Sequence, residues 1–503
     1  MSQLLRCKAI EDLIRESEDS THSLSKTLGL WSLVALGIGA VIGSGIFTLT
    51  GTAAAGVTMK YQSILHAPVM DLLRYGPDAV TTIGRPGAGP SVVLSFLLVA
   101  FVCGFAALCY AELASMIPIA GSTYTYAYAT LGELFAWIIG WDLILEYAVS
   151  NMSVAVGFSG YFNDILENLF GFRLPPEWSG PAFRGGEITG AYFNLPALLI
   201  MVSMTWLLIK GVKESANATS IMVIIKVLAI LAFVFGAASA IKPEHWVPFM
   251  PNGTTGVISG AAIVFFAYIG FDSVSTAAEE CKNPKRDLPW GIMITLLACT
   301  ILYGAVALVL TGIVPYTTLA NDEPVAKALK DIGYDRLRIF VSLGALVGMW
   351  SSLLVFQYGQ VRIWFAMSRD RLLPSMFSKV HPKHRTPHIS TWIAGLAVGI
   401  PAGLWDIATF AELANIGTMA AFASVSAGVI ILRRRQPDLK RGFRVPLVPW
   451  VPGISIACCL LLMLGLPLQT WLTFFIWLII GLVIYFTRTS RRAPRPSPTS
   501  CLR

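Results

Sequence analysis

A lysine in the middle of a long apolar run, Ile224-Ile225-Lys226-Val227-Leu228, is the residue of this sequence best placed to do chemistry. An ammonium buried in hydrocarbon is costly, and from mid-run its side chain has no short way to reach water. It must pair with a carboxylate, line a polar cavity, or take up and release a proton. Two carboxylates occupy another apolar run. Asp142 and Glu146 are four residues apart, the spacing that puts two side chains on one helix face. Glu146 reads as a proton relay or a contact to a polar pocket, with structural charge pairing as the alternative; Asp142 reads as structural. A third carboxylate ends the stretch Phe265-Phe266-Ala267-Tyr268-Ile269-Gly270-Phe271-Asp272, an awkward composition for an ordinary lipid-facing helix.

Such groups need elements that bring them to polar surroundings. The run Gly37-Ile38-Gly39-Ala40-Val41-Ile42-Gly43-Ser44-Gly45-Ile46-Phe47 carries four glycines in nine residues, each about 1 kcal/mol worse than alanine in a helix. It lies within an apolar stretch long enough to cross a bilayer. A break at that depth leaves peptide groups that no water can satisfy, so it is tolerable only where something polar fills it. Half-helix ends facing the gap suit a carboxylate at the N-terminal end and a cation at the C-terminal end. The plainer alternative is that Gly39-x-x-x-Gly43 only lets another helix pack closely. The interruption at 265–272 is the second of its kind. Paired interrupted helices in corresponding positions of two halves point to a midplane binding site.

The rest of the chain fits this reading. Of its 503 residues 55% are hydrophobic and 13% charged, the balance of a polytopic membrane protein. About twelve apolar runs centre on 31–56, 91–115, 131–163, 193–211, 216–241, 255–278, 289–314, 338–367, 389–405, 410–432, 450–466 and 470–487. The third and eighth exceed what a perpendicular helix needs, which predicts tilt or extension beyond the bilayer. With the N-terminus in the cytoplasm, inside segments hold about 25 of the 37 Lys and Arg and outside loops about 10, a positive-inside bias. The organisation read from this is a cytoplasmic segment 1–30, a core 31–432 with an external insertion at about 57–89, a basic loop with two further spans over 433–487, and a basic tail 488–503. The insertion has an amphipathic piece near Ile64–Leu73, and 172–187 reads as an irregular loop. Both termini face the cytoplasm, and the membrane is the plasma membrane. The basic clusters beside the spans read as anionic-lipid contacts, not a nucleic-acid surface. No removable signal peptide is seen. The eight cysteines show no zinc or disulfide spacing, and no phosphate loop or nucleophile elbow is present, so the chain reads as neither an enzyme nor a cofactor or metal protein.

Several long motifs resemble the amino acid–polyamine–organocation superfamily, and within it the cationic amino acid transporter group with its bacterial members. They are GIGAVIGSGIF at 37–47, ALCYAELASMIPIAGSTYTYAYATLGEL at 107–134, GWDLILEY at 140–147, FFAYIGFDSVSTAAEECKNPKRDLP at 265–289 and YGQVRIWFAMSRDRLLP at 358–374. The long first external loop and Trp350, beside the expected pocket, depart from the pattern. The resemblance implies an all-α transporter of the leucine-transporter type, a 5+5 inverted repeat with about twelve helices that works by alternating access. It implies that backbone N–H groups of Ile42, Gly43, Ser44 and Gly45 hold a substrate carboxylate. Carbonyls near Ile38, Ala267 and Ile269 would hold its ammonium, Phe266 would close over it, and Glu146, Tyr147 and Met349 would border the cavity. Lys226 would stand where sodium-coupled relatives of this fold bind a cation. That favours proton-coupled symport of L-amino acids over sodium symport. An amino acid exchanger on the same fold is the alternative reading, and a non-transporting sensor a third. Substrate choice, cationic or small neutral, and any small membrane subunit are left open by the sequence.

Overall fold

The structure, a computed structural model, describes residues 28–57, 64–76, 85–117, 122–184, 187–210, 215–381 and 386–489. The basic tail beyond 489 lies outside them, as do the first 27 residues. The first apolar run is split: α1 (Leu30–Val41) ends at Ile42, whose extended backbone (ψ 95°) stops the helix. After Gly43 and Ser44 the chain resumes as a π-turn, Gly45–Leu49, and α2 (Thr50–Ala55). The two halves are bent by 45°. Two-residue strands β1 (Gly56–Val57) and β2 (Arg85–Pro86) pair antiparallel and close the base of the insertion. The amphipathic piece expected in the insertion is divided at Pro68 into a single turn, Ile64–His66, and α3 (Val69–Tyr75).

Then come α4 (Val92–Met116), α5 (Ser122–Thr130) and α6 (Glu133–Phe170), a helix of 38 residues. The expected irregular loop at 172–187 contains one helical turn, Pro176–Ser179, and one strand of a small hairpin, β3 (Phe183–Arg184) with β4 (Glu187–Ile188). Next are α7 (Leu195–Lys210) and α8 (Ser215–Ala237). The second split span follows: α9 (Gly253–Val264), a 3-10 turn Phe265–Tyr268, an unwound stretch from Ile269 to Asp272, and α10 (Ser273–Thr276). The remaining helices are α11 (Pro284–Ile313), α12 (Pro324–Asp331), α13 (Asp335–Arg369), α14 (His388–Leu404), α15 (Ile407–Arg435), α16 (Trp450–Leu464) and α17 (Leu468–Thr489).

Among the described residues, seven helices are long and apolar enough to cross a membrane, eight with the bent first pair, and three shorter helices are apolar as well. The long α6 falls outside that set because it carries Asp142, Glu146, Asp164 and Glu167. It is also the post around which the others gather, touching α5, α7, α13, α14, α15 and α17. Its seam with α17 is aromatic. Trp141 and Trp477 stack at 4.6 Å, and each indole N–H donates to the other's carbonyl, at 2.8 and 3.0 Å. The broken spans lie on the other side, with α1 and α10 against α11 and with α1 also against α8 and α13.

Candidate functional site

A helix that stops inside a membrane leaves its last carbonyls without intrahelical partners. Here they are met by side chains from three neighbouring helices. Lys226 on α8, fully buried, donates from Nζ to Gly39 O at 2.6 Å, to Ile42 O at 2.8 Å and to Ser351 Oγ at 3.0 Å. Ser352, next on α13, lies within hydrogen-bond reach of the carbonyls of Gly39, Ala40 and Ile42. The single hydroxyl proton of Tyr303 on α11 lies between two carbonyl acceptors, Val41 O at 3.0 Å and Ala267 O at 2.9 Å, linking the first break to the second. The lysine is not in a salt bridge. It has three N–H donors as an ammonium, and it has three oxygens to use them on. The sequence pointed to Lys226 by its charge. Tyr303 and Ser352 were missed, because a hydroxyl in an apolar run carries no such signal.

The two breaks touch. A Cβ placed on Gly45 would stand 2.5 Å from Ala267 Cα, so only glycine allows this approach. Gly270, with φ +114°, takes a conformation side chains disfavour and turns the second break against the Ala40 backbone. Gly43, Ser44 and Gly45 therefore begin the second half of the first span directly beside Ala267, with Phe266 and Ile269 buried on either side. The first N–H groups of a helix are orphan donors and an anion site. The expected cation-side carbonyls are partly engaged: Ile38 O accepts the Ile42 N–H, and Ala267 O the Tyr303 hydroxyl. Each carbonyl keeps a second lone pair.

The other expected residues divide. Met349 is fully buried on α13, two positions from Ser351. Trp350, expected beside the pocket, is 41% exposed on the outer side of α13 and donates its indole N–H to Met204 Sδ. Tyr147 packs edge-on against Phe356 of α13, with its ring against Gly359. Glu146 is buried, and its Oε2 has no hydrogen-bond partner among the described residues. Asp272 is buried at the end of the unwound stretch of the second break. Arg362, near the C-terminal end of α13, lies over the Tyr358 ring and 3.5 Å from Glu280.

Both ends of the site are covered. At one end α2 packs under Tyr316–Leu319, and Tyr161 donates to Phe47 O at 2.6 Å. At the other, Leu28 exchanges backbone hydrogen bonds with Glu280 and Lys282, tying the start of the first span to the end of the second broken one.

A family model described as "Amino acid permease" matches residues 28–486. The chain is 45% identical over 486 residues to the methylthioribose transporter of Bacillus subtilis, covering 97% of this chain and 98% of that protein. It is 47% identical to the branched-chain amino acid permease BcaP of the same organism, covering 96% and 97%. Cationic amino acid transporter 4, vacuolar, of Arabidopsis thaliana is 34% identical over 87% of this chain and 68% of its own length.

Proposed function

Because the chain belongs to the amino acid permease family, we propose that this transporter takes up amino acids through the plasma membrane together with protons. The observation that carries the reading is the Lys226 ammonium, which meets three acceptors at the first break. A neutral amine has two N–H donors and a lone pair, and would lose one of those bonds while facing a carbonyl with its lone pair. Proton loss at Lys226 therefore loosens the break that holds the substrate's carboxylate, and proton binding restores it. Coupling follows from that shared geometry.

The same reading takes the chain as twelve spans with both termini in the cytoplasm. The core over 31–432 forms a 5+5 inverted repeat, and 433–487 supplies the basic loop and last two spans. Substrate carboxylate sits on the N–H groups of Gly43 to Gly45, the expected Ile42 N–H being already donated to Ile38 O, and its ammonium on free lone pairs near Ile38, Ala267 and Ile269. Phe266 covers it from outside. Buried Met349 and the branched-chain permease relative favour a neutral, apolar amino acid such as leucine. A second reading has its own support, since a relative of equal similarity is a methylthioribose transporter, whose substrate has neither carboxylate nor ammonium.

Uptake of labelled leucine into proteoliposomes, with alanine, lysine, arginine and methylthioribose as competitors, tests both. Accumulation of leucine that rises as the outer solution is acidified is the expected result. Uptake unchanged by the proton gradient but driven by internal amino acid would make the protein an exchanger. Uptake of methylthioribose alone would give the second reading. In Lys226→Met protein, gradient-driven accumulation is expected to disappear while leucine binding survives in part.

A further inference from the structure

The face of α6 that meets α15 carries Asp142, Glu146, Ser150, Ser153 and Gly157, spacings of four, four, three and four that keep one face of a helix. At Gly157 the face reaches the first break: a Cβ there would lie 2.9 Å from Ser44 Cβ and 3.3 Å from Thr48 Oγ1. At the other end Asp142 lies against Gly417 of α15, where a Cβ would stand 2.7 Å from its Oδ1. Fifteen residues separate the two ends, about 22 Å at 1.5 Å per residue. Along that length Ser44 Oγ, Thr48 Oγ1, Ser150 Oγ, Glu146 Oε2 and both oxygens of Asp142 are buried and lack partners among the described residues, while Ser153 donates to Ile407 O at 3.4 Å. Two turns beyond Gly417 towards the C-terminal end of α15, on the same face, Ser424 packs against Thr123, Tyr126, Ala127 and Thr130 of α5 in a seam too tight to hold a water.

A carboxylate at this depth with no partner costs several kcal/mol unless it carries a proton. The groups facing Asp142 offer no counter-charge. Glu146 is one turn away on its own helix, with Asp272 of the second break acting on Glu146. From α15 comes the backbone at Gly417, and Tyr147 turns away to α13. No described basic side chain pairs with Asp142, and no described His, Cys, Asp and Glu are grouped to hold a metal ion.

We propose that Asp142 is a second proton-carrying group of the transport cycle, exchanging its proton with the cytoplasm when the seam between α5 and α15 parts in the inward-open state. It communicates with the substrate break along the polar face of α6. Each cycle then moves two protons, one on the Lys226 amine and one on the Asp142 carboxyl, with no other bond made or broken. The inference rests on the symport reading above. It assigns α6 a part in coupling, in addition to its part in the scaffold.

The test is the leucine gradient that just stops net flux in proteoliposomes, with the membrane potential clamped at zero. Each coupled proton raises that gradient about tenfold per pH unit, since about 1.4 kcal/mol is tenfold. Wild-type protein is expected to balance at about a hundredfold per pH unit and Asp142→Asn at about tenfold. Equal values in the two proteins, whether tenfold or a hundredfold, overturn the proposal. Loss of arginine transport with an unchanged leucine gradient would make Asp142 a specificity residue and also overturn it. A wild-type gradient independent of pH would refute symport itself, and the second proton with it. If Asp142→Asn does not fold, carbodiimide modification of wild-type protein gives the answer by peptide mass. Modification of Asp142 that fades at alkaline pH supports a proton-bearing carboxyl; none at any pH refutes it.

Discussion

Gly45 and Tyr303 show how little separates a working break from a merely packed one. A methyl group at Gly45 must displace the Ala267 backbone, which is itself held through the Tyr303 hydroxyl. Gly45→Ala is therefore expected to weaken leucine binding more than tenfold in a ligand-induced thermal-shift titration. The comparison is Gly104→Ala on α4, where an added Cβ meets nothing within 4 Å. That change is expected to leave binding intact and to stabilise the helix by up to about 1 kcal/mol. Tyr303→Phe removes one buried O–H donor shared by two carbonyls, about 0.5–1.5 kcal/mol. It should lower affinity without unfolding the protein, and an unchanged dissociation constant would disconnect the two breaks. The glycines and Lys226 were legible in the sequence because each is expensive in a membrane helix and so demands a reason. Tyr303 and Ser352 carry no such expense, and their role appears only once the orphan carbonyls of α1 are seen to point at them. Trp350 shows the converse. It stands next to Ser351 in sequence, but a step of 100° around α13 turns it outwards onto Met204.

Elements were legible wherever hydrophobicity and hydrogen bonding end together, and less so where they part. The third apolar run fades near 163, yet α6 continues to Phe170 and is capped by Gly171 in the left-handed region. Asn163 and Asp164 are polar without being helix breakers, so only the glycine stops the ladder. In the insertion the amphipathic pattern runs unbroken, but Pro68 lacks an N–H and constrains its predecessor, so one expected helix becomes a turn and a helix. What anchors the insertion was not legible at all. Arg85, buried beside β1, forms an ion pair with Glu412 at the external end of α15 and donates to Gly465 O at 3.3 Å. Opposite charges 327 residues apart give no sequence signal. Removing one partner of a buried pair typically costs about 3–5 kcal/mol, whereas removing both can be nearly neutral. Arg85→Met is accordingly expected to lower the melting temperature clearly, and Arg85→Met with Glu412→Gln to recover most of the loss. Additive losses in that double-mutant cycle would mean that the pair does not anchor the insertion.

Over the whole molecule, the contacts that close the site are of two kinds, and alternating access requires them to behave differently. Inside, Leu28 and Cys281 are bridged backbone to backbone, and both belong to the broken spans taken to rock together. Outside, Asp322 leads into α12, part of the cover over α2, and a Cβ added to Gly160 on α6 would lie 3.3 Å from Asp322 Cβ. That contact joins a moving cover to a standing helix. Cysteine pairs report the difference, since a disulfide forms where Cβ atoms stand about 3.5–4.5 Å apart. Oxidised Gly160→Cys/Asp322→Cys protein is expected to stop leucine uptake and to regain it on reduction, because the external cover can no longer lift. Leu28→Cys with native Cys281, oxidised in the same way, is expected to keep most of its uptake, because the bond lies within one moving body. The opposite pattern, arrest by the inner bond and free transport with the outer one bonded, would mean that the two broken spans move against each other. Rigid rocking of the pair, and the coupling of both breaks through Tyr303, would then be lost together.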